Sequence, residues 1–230
     1  RIIEIGACKE KVAMTGNIKF DNLPNSSDVD KLKLGYAPGD KILIAGSTHA
    51  DEEETLIKIF HQLKKQDSAL RLIIGPRHIE RANDIAAMIQ QYQYEAIFLS
   101  NIKGRSVDQD QVLVIDQIGV LKDLYRIAAF VFIGKTFSVG GGQNMIEPAF
   151  FAKPVVVGPM TENFKDVMRI FLSEQALIQV NNKEQLYHAL RELIQDESKA
   201  QALGERAAAV VKKYQGASRR TLEYVSPFLE

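Results

Sequence analysis

The chain is poor in the residues that would tie it together covalently or carry it across a membrane. It has one cysteine, Cys8, in 230 residues, so no disulfide framework exists and a reducing compartment is expected. No run of apolar residues is long enough to span a bilayer, and no signal peptide is evident. The formal net charge is zero, with Lys and Arg spread along the chain, which gives no nucleic-acid surface and no acidic tail. The four histidines, His49, His61, His78 and His188, form no H-x-x-x-H pair, and Cys8 has no C-x-x-C partner, so no metal site and no metal cofactor is expected. The first residue is Arg rather than Met, and the chain is read as a fragment or a processed product. With 46% hydrophobic and 25% charged residues, the composition is that of an ordinary globular protein.

What is present is a repeated alternation. Short apolar runs, among them Lys41–Ala45, Leu70–Ile74, Val112–Ile115, Phe130–Ile133 and Val155–Val157, alternate with amphipathic stretches about six times. Leu56, Ile59, Phe60 and Leu63 form one such helical stripe. Helices are expected over Ile79–Tyr92, Gly119–Ala128, Asn163–Glu174, Lys183–Gln195, Glu197–Tyr214 and Ser218–Val225. Arg1–Ala7 reads as the end of a helix and Val12–Phe20 as a strand broken at Gly16-Asn17. Asp21–Gly39 and Asn101–Gln111 read as loops. The fold class is therefore α/β, a Rossmann-like parallel sheet with helices on both faces. Such sheets bind ligands at the carboxyl ends of their strands. The loops 46–49, 75–78, 116–119, 139–144 and 158–163 should therefore converge on one edge.

The most informative of these loops is Ser138-Val139-Gly140-Gly141-Gly142-Gln143-Asn144, followed by Met145, Ile146 and Glu147. Strand, glycine turn, helix is an arrangement that offers main-chain N–H groups to an anion. Glu147 in the first turn could accept hydrogen bonds from a ribose diol, or be a solvated acid at a helix start. Pro76-Arg77-His78 follows a strand directly, and the Arg77 guanidinium can fork onto a phosphate. Ser47-Thr48-His49 offers hydroxyls that either touch a ligand or cap the next helix. Lys19, beside Asn17, is a candidate cation for a phosphate or for developing negative charge. The acidic run Asp51–Glu54 reads as a first turn that complements the helix dipole. No Gly-Lys-Ser/Thr follows the glycine loop, and the loop comes late in the chain, which argues against NTP hydrolysis and hydride transfer.

Five collinear motifs resemble one family. They are Thr15-Gly16-Asn17-Ile18-Lys19-Phe20-Asp21; Gly46-Ser47-Thr48-His49 with Glu52-Glu53; Pro76-Arg77-His78 with Glu80-Arg81; Gly141-Gly142-Gln143-Asn144 through Glu147-Pro148-Ala149; and Gly158-Pro159 through Asn163-Phe164. Together they look like the carboxyl-terminal half of the 3-deoxy-D-manno-octulosonic acid (Kdo) transferases, inverting GT-B glycosyltransferases of lipopolysaccharide assembly. The resemblance implies a CMP-Kdo donor, a lipid A precursor acceptor, no cofactor, and work at the cytoplasmic face of the bacterial inner membrane. It implies that Pro76 and Arg77 contact the nucleotide, that Ile118, Gly119 and Val120 line the base, and that Gly141, Gly142 and Asn144 to Glu147 hold phosphate and ribose. Ser47 and Thr48 would stand beside them, and Lys19 would stabilise transition-state charge. The general base would be a Glu of a separate amino-terminal domain. On this reading residues 1–12 connect to that domain, 13–214 bind the CMP-sugar, and 215–230 are a terminal helix and tail that could cross back. Phe228 and Leu229 should then be exposed. Lys135, Val120 and Gln143 depart from the family pattern, which usually has Gly, Glu and His there. A UDP-sugar transferase or epimerase domain, or a non-catalytic nucleotide-binding module, are the alternatives.

Overall fold

A computed structural model describes residues 2–23, 29–102, 106–137 and 140–229. Parts of three expected loops, 24–28, 103–105 and 138–139, lie outside the described residues.

The elements in chain order are β1 (Lys41–Thr48), α1 (Ala50–Lys64), β2 (Leu70–Pro76), α2 (Ala82–Gln91), β3 (Glu95–Phe98), β4 (Gln111–Val114) and α3 (Leu121–Leu124). Then come β5 (Phe130–Ile133), α4 (Ile146–Phe150), β6 (Val155–Val157), α5 (Lys165–Ser173), β7 (Ile178–Gln179), α6 (Lys183–Gln195), α7 (Glu197–Tyr214) and α8 (Ala217–Val225). Among the described residues seven strands form one sheet in the order β3-β4-β2-β1-β5-β6-β7, and every pairing is parallel.

Residue alternation along the strands sorts the core into two layers. Ile42, Ile44, Ile73, Val131, Ile133, Val155 and Val157 pack with Tyr125, Ile146, Phe171 and Val210 on one face. Leu43, Ala45, Leu72, Ile74, Phe132 and Val156 pack with Leu56, Phe60, Ile85 and Leu190 on the other. A sheet covered on both faces needs apolar residues at odd and even positions alike, which is why these strands read as continuous hydrophobic runs.

The strand order reverses beside β1: the chain runs outward through β2, returns, and restarts at β5 on the other flank. This reversal opens a crevice between the loops that follow β1 and β5.

Two expectations at the amino terminus fail. Residues 2–6 form hydrogen-bonded turns rather than the end of a helix, and Gly6 has φ of 104°. Val12–Phe20 is not a strand. It runs as irregular chain into a 3-10 helix at Ile18–Phe20, capped by the Asn17 side chain. Its anchor is Phe20, which is fully buried against Phe171 at 6.2 Å and Tyr214 at 5.6 Å between ring centroids. The segment is held by helices, so it finds no strand edge to pair with.

The carboxyl terminus closes over this segment. The Asp21 carboxylate accepts from the main-chain N–H groups of Gly216 and Ser218, each at 2.6 Å. The Arg220 guanidinium donates to the Thr15 carbonyl at 2.8 Å. Beyond α8, Phe228 and Leu229 are 86% and 74% exposed, as expected.

Candidate functional site

Because all seven strands are parallel, the five loops named above emerge at one edge, and those after β2, β1, β5 and β6 are immediate neighbours. The structure shows how they are fixed there.

Glu52, in the first turn of α1, is the tie. The residue is 2% exposed. Oε2 accepts from the N–H of His49 at 3.0 Å and of Lys135 at 2.8 Å. Oε1 accepts from the N–H of Thr136 at 2.8 Å and of Phe137 at 3.1 Å. One carboxylate therefore gathers the loops after β1 and β5 across the crevice. The close approach requires Gly134, since a Cβ there would stand 2.6 Å from the Ser47 carbonyl and 2.8 Å from Glu52 Oε2.

Glu53 is fully buried and paired with Arg81, Nη2 to Oε2 at 2.6 Å. That hydrogen bond holds the Arg81 guanidinium above its ordinary pKa. The Thr48 hydroxyl donates to Glu53 Oε1 at 3.3 Å and is wholly enclosed, so this side chain supports the loop instead of meeting a ligand. The acidic run is thus not a uniformly solvated first turn. Asp51 and Glu54 face water, while Glu52 and Glu53 are spent inside. Ser47 is partly exposed and has φ of 56° at the irregularity that ends the β1–β2 pairing.

The glycine loop is likewise pinned. The Gly142 N–H donates to the Lys135 carbonyl at 2.8 Å, and Asn163 N–H to the Gly141 carbonyl at 2.9 Å. Gly141 has φ of 120°, and a Cβ on it would collide with the Asn163 amide. Lys135 has φ of 60°, a conformation that favours glycine, so its side chain sits on a strained backbone.

Asn144 uses both ends of its amide. Oδ1 accepts from the Ile146 N–H at 3.1 Å, and Nδ2 donates to Glu147 Oε1 at 3.0 Å. Met145 and Ile146 bury their side chains completely, so only their main chain can face a ligand. Glu147 is half-buried. Burial raises its pKa, with the Asn144 bond and Lys122 opposing and Asp123 adding to the rise.

At the end of β2 the Pro76 ring is buried, and the Arg77 N–H donates to the Thr48 carbonyl at 2.9 Å. The Arg77 side chain is exposed, and its guanidinium has no protein partner among the described residues. His78 meets His49 edge-on at 5.7 Å. Burial lowers the pKa of His49, with Glu52 opposing the shift and His78 and Lys135 reinforcing it. Farther along the edge, after β4, Ile118 is 84% exposed and Gly119 has φ of 87°, while Val120 packs partly into the core. A turn of this kind presents main chain and one apolar side chain.

Lys19 reaches the same region from the amino-terminal segment. Its ammonium donates to the Asn163 carbonyl at 2.9 Å and lies 4.0 Å from the centroid of the Phe164 ring. Through Asn163 it abuts Gly141. A groove of about 830 Å³ between α1 and α6 contains none of these loops.

The arrangement therefore sets one cation, Lys19, and a hydrogen-bonded carboxylate, Glu147, beside a glycine turn, with the exposed Arg77 at the end of β2 on the same edge. Sequence reasoning missed Glu52 and Glu53 as loop ties and Asn163 as the link to Lys19. The signal was available in the adjacent acids three and four residues after His49, with an arginine, Arg81, following the next strand.

Comparison with known proteins places this geometry in a family. Over its full length the chain is 31% identical to the 3-deoxy-D-manno-octulosonic acid transferase of Haemophilus influenzae, and it covers 55% of that protein. The chain spans about half the length of the curated relatives it matches. The crystal structure of the C-terminal CMP-Kdo binding domain of WaaA from Acinetobacter baumannii superposes with a TM-score of 0.70 at 25% identity, covering 76% of this chain and 90% of that one. A UDP co-structure of MnaA from S. aureus shares the fold with a TM-score of 0.65 at 19% identity, covering 99% of this chain and 57% of that one. The family described as Glycosyl transferases group 1 matches residues 49–210. The chain belongs to the group 1 glycosyl transferases.

Proposed function

We propose that this chain is the donor-binding half of a GT-B enzyme that transfers Kdo from CMP-Kdo to a lipid A precursor. The observation that carries the reading is the match to a CMP-Kdo binding domain over 76% of the chain, at the highest TM-score of the structures compared above. The site chemistry supports it. Arg77 offers an unpaired guanidinium to the phosphate, and charge-assisted forks of this kind are strong. Glu147, oriented by Asn144, accepts from the ribose diol. The Ile118–Val120 turn offers main chain to the base edge and an apolar side chain to its face. Lys19 stands at the outer rim of the glycine loop, where it stabilises charge on the departing CMP.

In an inverting transfer the acceptor hydroxyl attacks the anomeric carbon from the face opposite CMP. A C–O bond to the acceptor forms, the C–O bond to phosphate breaks, and CMP leaves with the electron pair. The acceptor proton goes to a general base within hydrogen-bond reach of that hydroxyl. Three of the acids at this edge are committed, Glu52 to four amides, Glu53 to Arg81 and Glu147 to Asn144, while Asp51 and Glu162 are exposed. The base and the acceptor surface belong, on this reading, to a second domain of the whole enzyme. We place that enzyme at the cytoplasmic face of the inner membrane.

The test is nucleotide competition followed by a transfer assay. CMP should bind these 230 residues and UDP should compete poorly. Preference for UDP would replace the reading with a UDP-sugar transferase or epimerase domain. Turnover of CMP-Kdo by the chain alone would refute the division of labour between two domains.

A further inference from the structure

At the opposite end of the sheet, where β1, β5 and β6 begin, lies a groove of about 750 Å³. Lys31, Arg126 and Lys153 line it. Of the other charges lining it, Asp40 and Lys41 are paired, while Asp30 and Glu197 are acids without an ion pair among the described residues. Asp40 is taken by the buried Arg71 at 2.6 Å and by the Ala37 N–H at 2.7 Å. Lys41 is paired with Asp67 at 2.9 Å. Asp30 accepts from the Leu32 N–H at 2.9 Å.

Lys153 is different. The residue is half-buried, and its ammonium has no hydrogen bond or ion pair among the described residues. The charges that act on it are Lys31 and Arg126, and burial together with these two pushes its pKa down. Glu197, exposed on the rim in the first turn of α7, is not among them. Arg126 is exposed, with its guanidinium 4.9 Å from the centroid of the Phe151 ring. The Lys31 ammonium is held by the Pro38 carbonyl. A partly buried ammonium that lacks a partner and shares a groove with Lys31 and Arg126 is one that an anion in that groove stabilises.

We propose that this groove is a phosphate-binding site, separate from the strand-end site, with Lys153, Arg126 and Lys31 as its ligands. A phosphate group supplies the acceptor oxygens that two ammonium groups and one guanidinium fork require. The same chemistry is offered by a free phosphate and by the headgroup of an acidic lipid. The site does not depend on the identity of the nucleotide bound at the other edge.

The test uses the whole chain at constant ionic strength. Amide NMR during titration with sodium phosphate should show saturable changes at residues 126–129 and 153. In an Arg126→Gln/Lys153→Gln double variant the apparent affinity should fall by about tenfold or more. Changes at the strand-end loops should be the same in both proteins. A second arm measures co-sedimentation with phosphatidylglycerol vesicles against phosphatidylcholine vesicles. Variant-sensitive vesicle binding without a response to free phosphate supports the site and assigns the phosphate to a lipid. No response in either arm, or equal responses in the double variant, overturns the proposal.

Discussion

Replacing Glu52 with alanine removes the acceptor of four main-chain N–H groups at distances of 2.8 to 3.1 Å. Leaving a buried donor unsatisfied costs about 1–3 kcal/mol. The four costs do not add, because water enters the space left by the side chain and the carboxylate's own desolvation is recovered. A net loss of about 3 kcal/mol follows, the upper end of the range for unsatisfied buried donors. That is a large share of the stability of an ordinary domain, about 5–15 kcal/mol. Urea unfolding at neutral pH measures it, provided that the m-value is unchanged. Glu52→Gln keeps the volume and one acceptor oxygen but turns an NH₂ toward two donors, so its loss should be smaller and the protein should remain folded. CMP affinity should fall in the Gln variant, since the loop after β5 leads directly into the glycine turn. A stability loss below about 1 kcal/mol in the alanine variant, with unchanged CMP affinity in the glutamine variant, would refute the role of Glu52 as a tie.

Other outcomes follow from the same geometry. Arg77→Ala should weaken CMP by about 1.5–3 kcal/mol and cytidine far less; equal losses in calorimetry would remove the guanidinium from the phosphate. Glu147→Gln should weaken CMP binding and also flatten the pH dependence of stability. The folded carboxyl of Glu147 holds its proton more tightly than the unfolded one. Its contribution is therefore fully present below the unfolded pKa and is lost as pH rises through the folded value. Unfolding curves of the native and variant chains between pH 4 and 8, about the range in which carboxylates and histidines titrate, should diverge on that limb; parallel curves would contradict the shift. Gly134→Ala should lower stability by about 1–3 kcal/mol, because the new methyl group meets main-chain atoms that cannot swing aside; an unchanged thermal midpoint would show that the contact is not tight. Lys19→Ala in the full-length enzyme should lower kcat by about a hundredfold with little change in KM; an effect on KM alone would assign it to ground-state binding.

Several elements were legible from the sequence with their bounds nearly correct. Phe130–Ile133 and Val155–Val157 are strands, and Lys183–Gln195 and Glu197–Tyr214 are helices, over the residues that their patterns mark. These runs are long, or wholly buried, and local pattern carries enough information for both cases. The alternation of strand and helix also implied a parallel sheet, and hence that the loops at residues 46, 75, 116 and 158 and the glycine turn share one edge. Val12–Phe20 was misread for the complementary reason. Alternating residues show that a segment suits a strand, but not whether a sheet edge is available, and here Phe20 sits between Phe171 and Tyr214 instead.

The sequence by itself therefore determined at which end of the sheet the loops after the strands emerge, because strand polarity follows from the alternation of strand and helix. Only the tertiary structure decided what each residue does there. Glu52 and Glu53 are adjacent in a helix start and look alike on paper. One is fixed by amides 83 to 85 residues away and the other by Arg81. Thr48 turns inward because Glu53 is there to receive its hydroxyl. Lys19 joins the glycine turn through a carbonyl 144 residues distant. The burial of a charge depends on which distant groups arrive to pair with it, and that is a property of the packed chain.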